Sequence, residues 1–333
     1  MRKTLLLLAA VTAVAGAPAA LAADEIVVYS ARKEDLIKPL FDAYGAETGA
    51  TISFITDQEG PLLARLKAER ANTPADILLT VDAGNLWKAA EEGVLSAVES
   101  EELVRNIPPH LRDPANRWFG FSVRARTIVY STKRVDPGEL STYEGLAGPK
   151  WKGRLCLRTS KKVYNQSLVA MMIARLGKES TEQVVRGWVD NLATSVFSND
   201  TSLMEAIAAG QCDVGIVNTY YFGRLQKKQP DVDLALFWPN QESGGVHVNV
   251  SGGGVTAHAP HRAEAIRFLE WLSSEKAQHL FADVNMEYPA NPRVAPAPIV
   301  RAWGDFKQEG MNVSEAGRLQ VEAVALMDRA GYK

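Results

Sequence analysis

The chain has 333 residues, 46% of them hydrophobic and 23% charged, with a formal net charge of -2. That length and apolar content suffice for a large buried core and about two domains. The near-neutral balance excludes the electrostatic footprint of a nucleic-acid binder, and the short basic pairs Lys161-Lys162 and Lys227-Lys228 read as solvated helix or loop ends.

At the N-terminus, Arg2 and Lys3 precede an apolar run from Thr4 to Ala15, and Ala20-Leu21-Ala22 offers a small-x-small cleavage site. This is the order of parts in a secretory signal peptide, which is expected over residues 1–22 with cleavage near Ala22/Ala23. The run is shorter than the roughly 20 residues that span a bilayer, and no Cys stands at the cleavage point to take a lipid. The expectation is a periplasmic protein without a membrane anchor. Cys156 and Cys212 are an even pair for an oxidising compartment and read as one disulfide, with two buried free thiols as the alternative.

Strand and helix patterns then alternate. Glu25 to Ser30 reads as a strand, Lys33 to Thr48 as a helix with apolar residues at Leu36, Ile37, Leu40, Phe41 and Tyr44, and Thr51 to Thr56 as a strand. Leu62 to Arg70 reads as a helix, Asp76 to Thr80 as a strand, and Asn85 to Glu92 as a helix stopped by Gly93. A second region repeats the alternation: strand Arg154 to Leu157, helices Asn165 to Leu176 and Glu182 to Leu192, a short strand Ser195 to Phe197, helix Ser202 to Ala209, and strand Asp213 to Val217. The pattern predicts an α/β fold of two lobes. Phe121 to Ser131 and Val246 to His258 are extended segments placed to cross between them, and two crossings make a hinge.

The strand ending at Val217 breaks at Asn218-Thr219 and turns into a helix from Tyr220 to Lys228, which puts Tyr220 and Tyr221 just past a strand's carboxyl end. Ligands bind there in open α/β sheets. A phenol, with an ordinary pKa of about 10, ionises at neutral pH only beside strong positive charge, and a hard trivalent cation suits it better than zinc. Packing of the two rings is the alternative reading of the pair.

Several segments resemble the periplasmic ferric-iron-binding proteins, the solute receptors of bacterial iron ABC importers. They are Ile26-Val27-Val28-Tyr29-Ser30-Ala31-Arg32, Thr73-Pro74-Ala75-Asp76-Ile77, Arg124-Ala125-Arg126 with Val129-Tyr130, Val163-Tyr164-Asn165-Gln166-Ser167-Leu168 and Asn218-Thr219-Tyr220-Tyr221. Glu287-Tyr288-Pro289-Ala290-Asn291-Pro292 and Leu326-Met327-Asp328-Arg329-Ala330-Gly331 extend the likeness to the C-terminus. The resemblance implies a two-lobed periplasmic binding protein of type II, transferrin-like, with a cleft between residues 23–123 plus about 247–290 and residues 124–246 plus about 291–333. It also implies coordination of Fe(III) by Tyr164, Tyr220 and Tyr221, with carbonate, citrate or water completing the shell, in a monomer that serves an inner-membrane ABC permease. By position Arg124 matches the family's anion-binding arginine, and Arg126, two residues on along the same strand face, stands behind it.

The first lobe departs from the pattern. Lys33 and Glu34 stand where many relatives carry a His or a His-Tyr pair, and Gly60, beside Glu59, stands where some carry a metal-binding Glu. Glu34 is left as a weaker metal candidate against its plainer role as a first-turn acid, and Arg32 and Lys33 could face an anion. His258-Ala259-Pro260-His261 reads as a surface turn, because Pro260 breaks the helix that would align two ligands. No G-x-S-x-G, H-E-x-x-H or P-loop sequence occurs, so an enzyme is not expected. A receptor for an organic anion or phosphonate is the alternative on the same scaffold, and an exported hydrolase the alternative outside it.

Overall fold

A computed structural model of the chain describes residues 25–333; the expected signal peptide lies outside the described residues. The first half runs β1 (Glu25–Ser30), α1 (Glu34–Thr48), β2 (Thr51–Thr56), α2 (Glu59–Glu69), β3 (Ile77–Thr80), α3 (Ala83–Glu91), α4 (Glu101–Asn106), β4 (Phe119–Ser131), β5 (Leu155–Cys156) and α5 (Val163–Leu176). There follow α6 (Lys178–Asp190), α7 (Asp200–Ala208), β6 (Val214–Asn218), α8 (Thr219–Lys228), β7 (Leu234–Phe237), β8 (Val248–Val255), α9 (Arg262–Ser273), α10 (Glu275–Asn285), β9 (Tyr288–Pro289), α11 (Pro298–Arg301), α12 (Glu315–Arg318) and α13 (Gln320–Arg329).

The sheet has the order β2-β1-β3-β8-β4-β6-β5, with β7 and β9 also paired to β4. Strands β1, β2 and β3 are mutually parallel, as a β-α-β start requires, whereas β8 runs antiparallel to both β3 and β4. All thirteen residues of β4 are buried, and its pairing changes partway along. Phe119 to Ala125 pair with β8, while Arg126 to Tyr130 pair with β6 and Ile128 to Ser131 with β7. The hydrophobic core divides at the same place. Ile26 through Ala125 pack with Val246 through Val313 in one cluster, and Ile128 through Ile216 pack with Leu319 through Tyr332 in another. Residues Ala297, Val300 and Val313 belong to the first cluster.

Local chemistry accounts for the elements that frame the cleft. Helix α1 buries Ile37, Leu40, Phe41 and Tyr44, the i, i+3, i+4, i+7 stripe of a helix laid on a sheet, and ends at Gly49 in the left-handed conformation. Helix α3 starts where the Asp82 side chain accepts the Gly84 N–H, and α7 starts where Asn199 accepts the Ser202 N–H. Two expectations from the pattern change. Phe197 forms a single bridge to Arg158 rather than a strand, and β8 pairs wholly with β3 and β4, so the second crossing is the chain just ahead of it, where the His247 carbonyl accepts the Arg126 N–H at 3.0 Å.

Cys156 and Cys212 form a disulfide, so the free-thiol alternative falls. It joins the end of β5 to the turn before β6, two strands that pair in parallel and lead toward α5 and α8. Among the described residues no helix is long and apolar enough to cross a membrane.

Candidate functional site

Tyr164 is the second residue of α5, and Tyr220 and Tyr221 are the second and third residues of α8. Neither helix start carries a side-chain cap, and Asn165 in the first turn of α5 and Asn218 at the start of α8 are both engaged by Arg126. Its Nε and Nη2 donate to Asn165 Oδ1 at 2.9 and 2.6 Å, and its Nη1 donates to Asn218 Oδ1 at 3.0 Å and Asp200 Oδ2 at 3.2 Å. Asp200 in turn accepts the Asn218 N–H at 2.9 Å. Asn165 Nδ2 donates to the carbonyls of Arg158 and Thr159, both at 2.9 Å, and so folds the preceding loop onto α5. One buried guanidinium thereby fixes the starts of both tyrosine-bearing helices relative to β4. Buried hydrogen-bond networks of this kind rigidify the elements they join.

The three tyrosines share the wall of one cavity of about 590 Å³. The Tyr220 hydroxyl lies 3.3 Å from the Tyr164 hydroxyl, and the Tyr220 and Tyr221 rings are 4.3 Å apart between centroids. Basic side chains in the lining are Arg32, Lys33, Arg124, Lys162 and Arg224, and acidic ones are Asp57, Glu59 and Glu287. Five cations against three carboxylates leave two positive charges. The guanidinium of Arg124 sits 5.2 Å from the Tyr164 ring centre and that of Arg224 5.0 Å from the Tyr220 ring centre. Among the described residues no group of three or more His, Cys, Asp or Glu side chains could hold a metal ion, so phenol oxygens are the convergent hard donors of this cavity.

Burial dominates the electrostatics. It pushes the Tyr164 phenol above its ordinary range, with Arg124 pulling the other way. Tyr220 is driven well above, by burial first and then by the neighbouring Tyr164 and Tyr221. Burial also lowers the Arg32 guanidinium, which Glu287 partly offsets at 3.6 Å. Arg32 is 5% exposed, rests on the Phe281 ring, and leaves Nε and Nη1 without hydrogen-bond partners. A buried donor without a partner is costly, and Arg32 is among the residues that line the cavity. Arg124 is held by the Val81 carbonyl, by Ser251 Oγ at 3.4 Å and by Asp82 at 3.8 Å.

The cavity therefore gathers Tyr164, Tyr220, Tyr221 and Arg124, and leaves Arg126 behind its wall, bonded to the helix starts. Glu34 is exposed in the first turn of α1 and is not among the lining side chains, consistent with its plainer reading; Lys33 and Arg32 do line the cavity. Glu59, next to Gly60, lines it too, with Asp57. Sequence reasoning gave no role to Arg158, Arg224 or Glu287. Arg224 lies three residues beyond Tyr221, one helical turn, a spacing that could have flagged it. Glu287, 4% exposed and accepting from Ser122 Oγ, is brought in from far along the chain and had no local signal.

Similarity to known proteins follows the same outline. The chain is 44% identical to iron uptake protein A1 of Synechocystis over 93% of this chain and 88% of that one. A Trichodesmium protein solved in complex with iron and citrate ligands is 43% identical, with a TM-score of 0.89, covering 93% of this chain and all of that one. Ferric iron-binding protein A of Mannheimia haemolytica, solved in an open conformation, is 36% identical with a TM-score of 0.87 over 93% of this chain and 99% of that one. Residues 72–302 match the family profile, and the chain belongs to the bacterial extracellular solute-binding proteins.

Proposed function

We propose that this protein is a periplasmic receptor that captures Fe(III) with Tyr164, Tyr220 and Tyr221 as phenolate ligands, together with a synergistic anion, and delivers it to an inner-membrane ABC permease. The observation that carries the reading is the convergence of three phenols from two helix starts on one cavity wall. Three phenolates balance a trivalent cation, and hard oxygen donors suit a hard metal. The two positive charges left in the lining then favour an added dianion or trianion, such as carbonate or citrate, with Arg124 and Arg32 as its donors. The relatives named for iron uptake and ferric-iron binding, and the neighbour holding iron and citrate, support this choice of cargo.

The first lobe comprises the residues that pack around β1 to β3 and β8, and the second those around β5 to β7; β4 passes between them. Rotation about β4 and the chain before β8 would close Lys33, Asp57 and Glu59 over cargo held on the tyrosine wall. The chain acts as a monomeric receptor rather than a catalyst.

Protein loaded with ferric citrate is expected to show a visible phenolate-to-iron charge-transfer band that weakens in Tyr221→Phe. A colourless, iron-free protein after loading refutes the iron reading. The cation excess and the partnerless nitrogens of Arg32 favour one second reading, an organic-anion or phosphonate receptor; calorimetric titration with citrate or a phosphonate in the absence of iron separates it, since tight binding there without the metal is its signature.

A further inference from the structure

Arg158 lies outside the cavity lining, yet it is more deeply committed to the site than several residues within it. It follows β5 and is 5% exposed. Its Nε donates to the Ser198 carbonyl at 3.1 Å, its Nη1 lies 3.4 Å from Asp200 Oδ1, and its own carbonyl accepts Asn165 Nδ2 at 2.9 Å and the Tyr332 hydroxyl at 2.6 Å. The guanidinium is therefore held by two partners and the backbone beside it by two more. It sits 5.4 Å from the Tyr164 ring centre and 5.8 Å from that of Tyr221.

The charges behind the tyrosine wall do not balance. Asp200, with no exposed surface, pairs with Arg126 at 3.2 Å and with Arg158 at 3.4 Å. Among the described residues no other carboxylate pairs with either arginine, so two buried cations share one anion. An uncompensated buried charge is strongly unfavourable. Apart from Asp200, Arg126 spends its donors on Asn165, Asn218 and the Ile216 carbonyl, all neutral acceptors. Arg158 is the one of the pair that reaches a group able to become negative. Arg224 also approaches Tyr221, at 6.0 Å, but is exposed, where water screens its charge.

We infer that Arg158 is the positioning residue for Tyr221: its buried guanidinium holds the phenol oxygen toward the cavity and supplies the balancing charge when that oxygen becomes a metal ligand. The inference rests on the ferric reading above. A buried cation close to a phenol favours its ionised form. The Tyr164 and Tyr220 hydroxyls, by contrast, are hydrogen-bonded to each other.

The test is a double-mutant cycle read by competitive ferric binding and by the charge-transfer spectrum. Arg158→Gln is expected to lower the apparent ferric affinity about 10- to 100-fold and to move the charge-transfer band to longer wavelength, because a phenolate without its cation is easier to oxidise. Arg158→Lys, which keeps the charge but lacks the planar fork, recovers most of both. In a Tyr221→Phe background Arg158→Gln has no further effect, whereas in a Tyr220→Phe background its full effect remains. Equal losses in both backgrounds with an unmoved band make Arg158 merely structural and overturn the inference. Should Arg158→Gln fail to fold, the same cycle with Arg158→Lys decides: a small loss and shift, again abolished in Tyr221→Phe. A wild-type protein without any band refutes the ferric reading itself, whereas a wild-type band that Arg158→Gln leaves in place, at unchanged affinity, refutes only the role of Arg158.

Discussion

Replacing Tyr220 with phenylalanine should remove one proton from the stoichiometry of iron capture. A free phenol ionises near pH 10, and burial pushes Tyr164 and Tyr220 higher. Each phenol that becomes a ligand below that range gives up its proton, so capture through three phenolates releases three. Every released proton weakens the apparent affinity tenfold for each pH unit of acidification. Three protons make that a thousandfold, or about 4 kcal/mol per pH unit, and the direction is loss of iron as pH falls. The assay is a pH-stat titration with ferric citrate between pH 6 and 8, comparing wild type with Tyr220→Phe. Protons exchanged by citrate are common to both, so the difference isolates the phenol. One proton fewer in the variant, with a slope reduced to about a hundredfold per pH unit, is the expected result. An unchanged count would mean that Tyr220 stays protonated in the complex, and the three-phenolate site would be refuted.

The disulfide and the buried histidine give two further tests. Cys156 and Cys212 are separated by 56 residues, and the chain-entropy relation for a loop of that size gives about 4 kcal/mol; the Cys156→Ser, Cys212→Ser double variant should lose stability of that order in urea, and a loss below about 1 kcal/mol contradicts the estimate. His247 is 4% exposed with no partner at Nδ1, and burial, with Arg126, Arg124 and Arg175 nearby, lowers its imidazole to about 3. The unfolded chain takes up that proton near pH 6.5 and the folded one only near 3, so His247 costs no stability above about 6.5 and destabilises progressively as pH falls through the window. Substituting His247→Gln should flatten the stability–pH profile between pH 6 and 4 by about one proton, measured by urea midpoints; an unchanged slope shows that the imidazole is free to protonate in the folded state.

Much of this protein is legible along the chain because its determinants are local. The apolar stripe of α1, the Gly93 stop, the extended run of β4 and the β6–α8 turn depend on neighbours within a few residues, and they appear close to where the pattern puts them. Elements without a clean period, such as the stretch around Phe197, are settled by pairing partners far away in sequence. That three tyrosines suit a hard cation, and that Cys156 and Cys212 suit a disulfide, follow from side-chain chemistry alone.

What only the tertiary structure decided is charge and reach. Glu287 comes to Arg32 across more than 250 residues, and Arg158 comes to Tyr221 because Asn165 and Tyr332 clamp its carbonyl. The sequence by itself determined which donors exist and on which helix starts they stand, since residue identity and local period carry that information. The fold alone decided which of them converge on one cavity, which cation lies behind which phenol, and that two buried arginines share one aspartate. The reason is that electrostatic partnership depends on separation and burial in space, and neither is a function of separation along the chain.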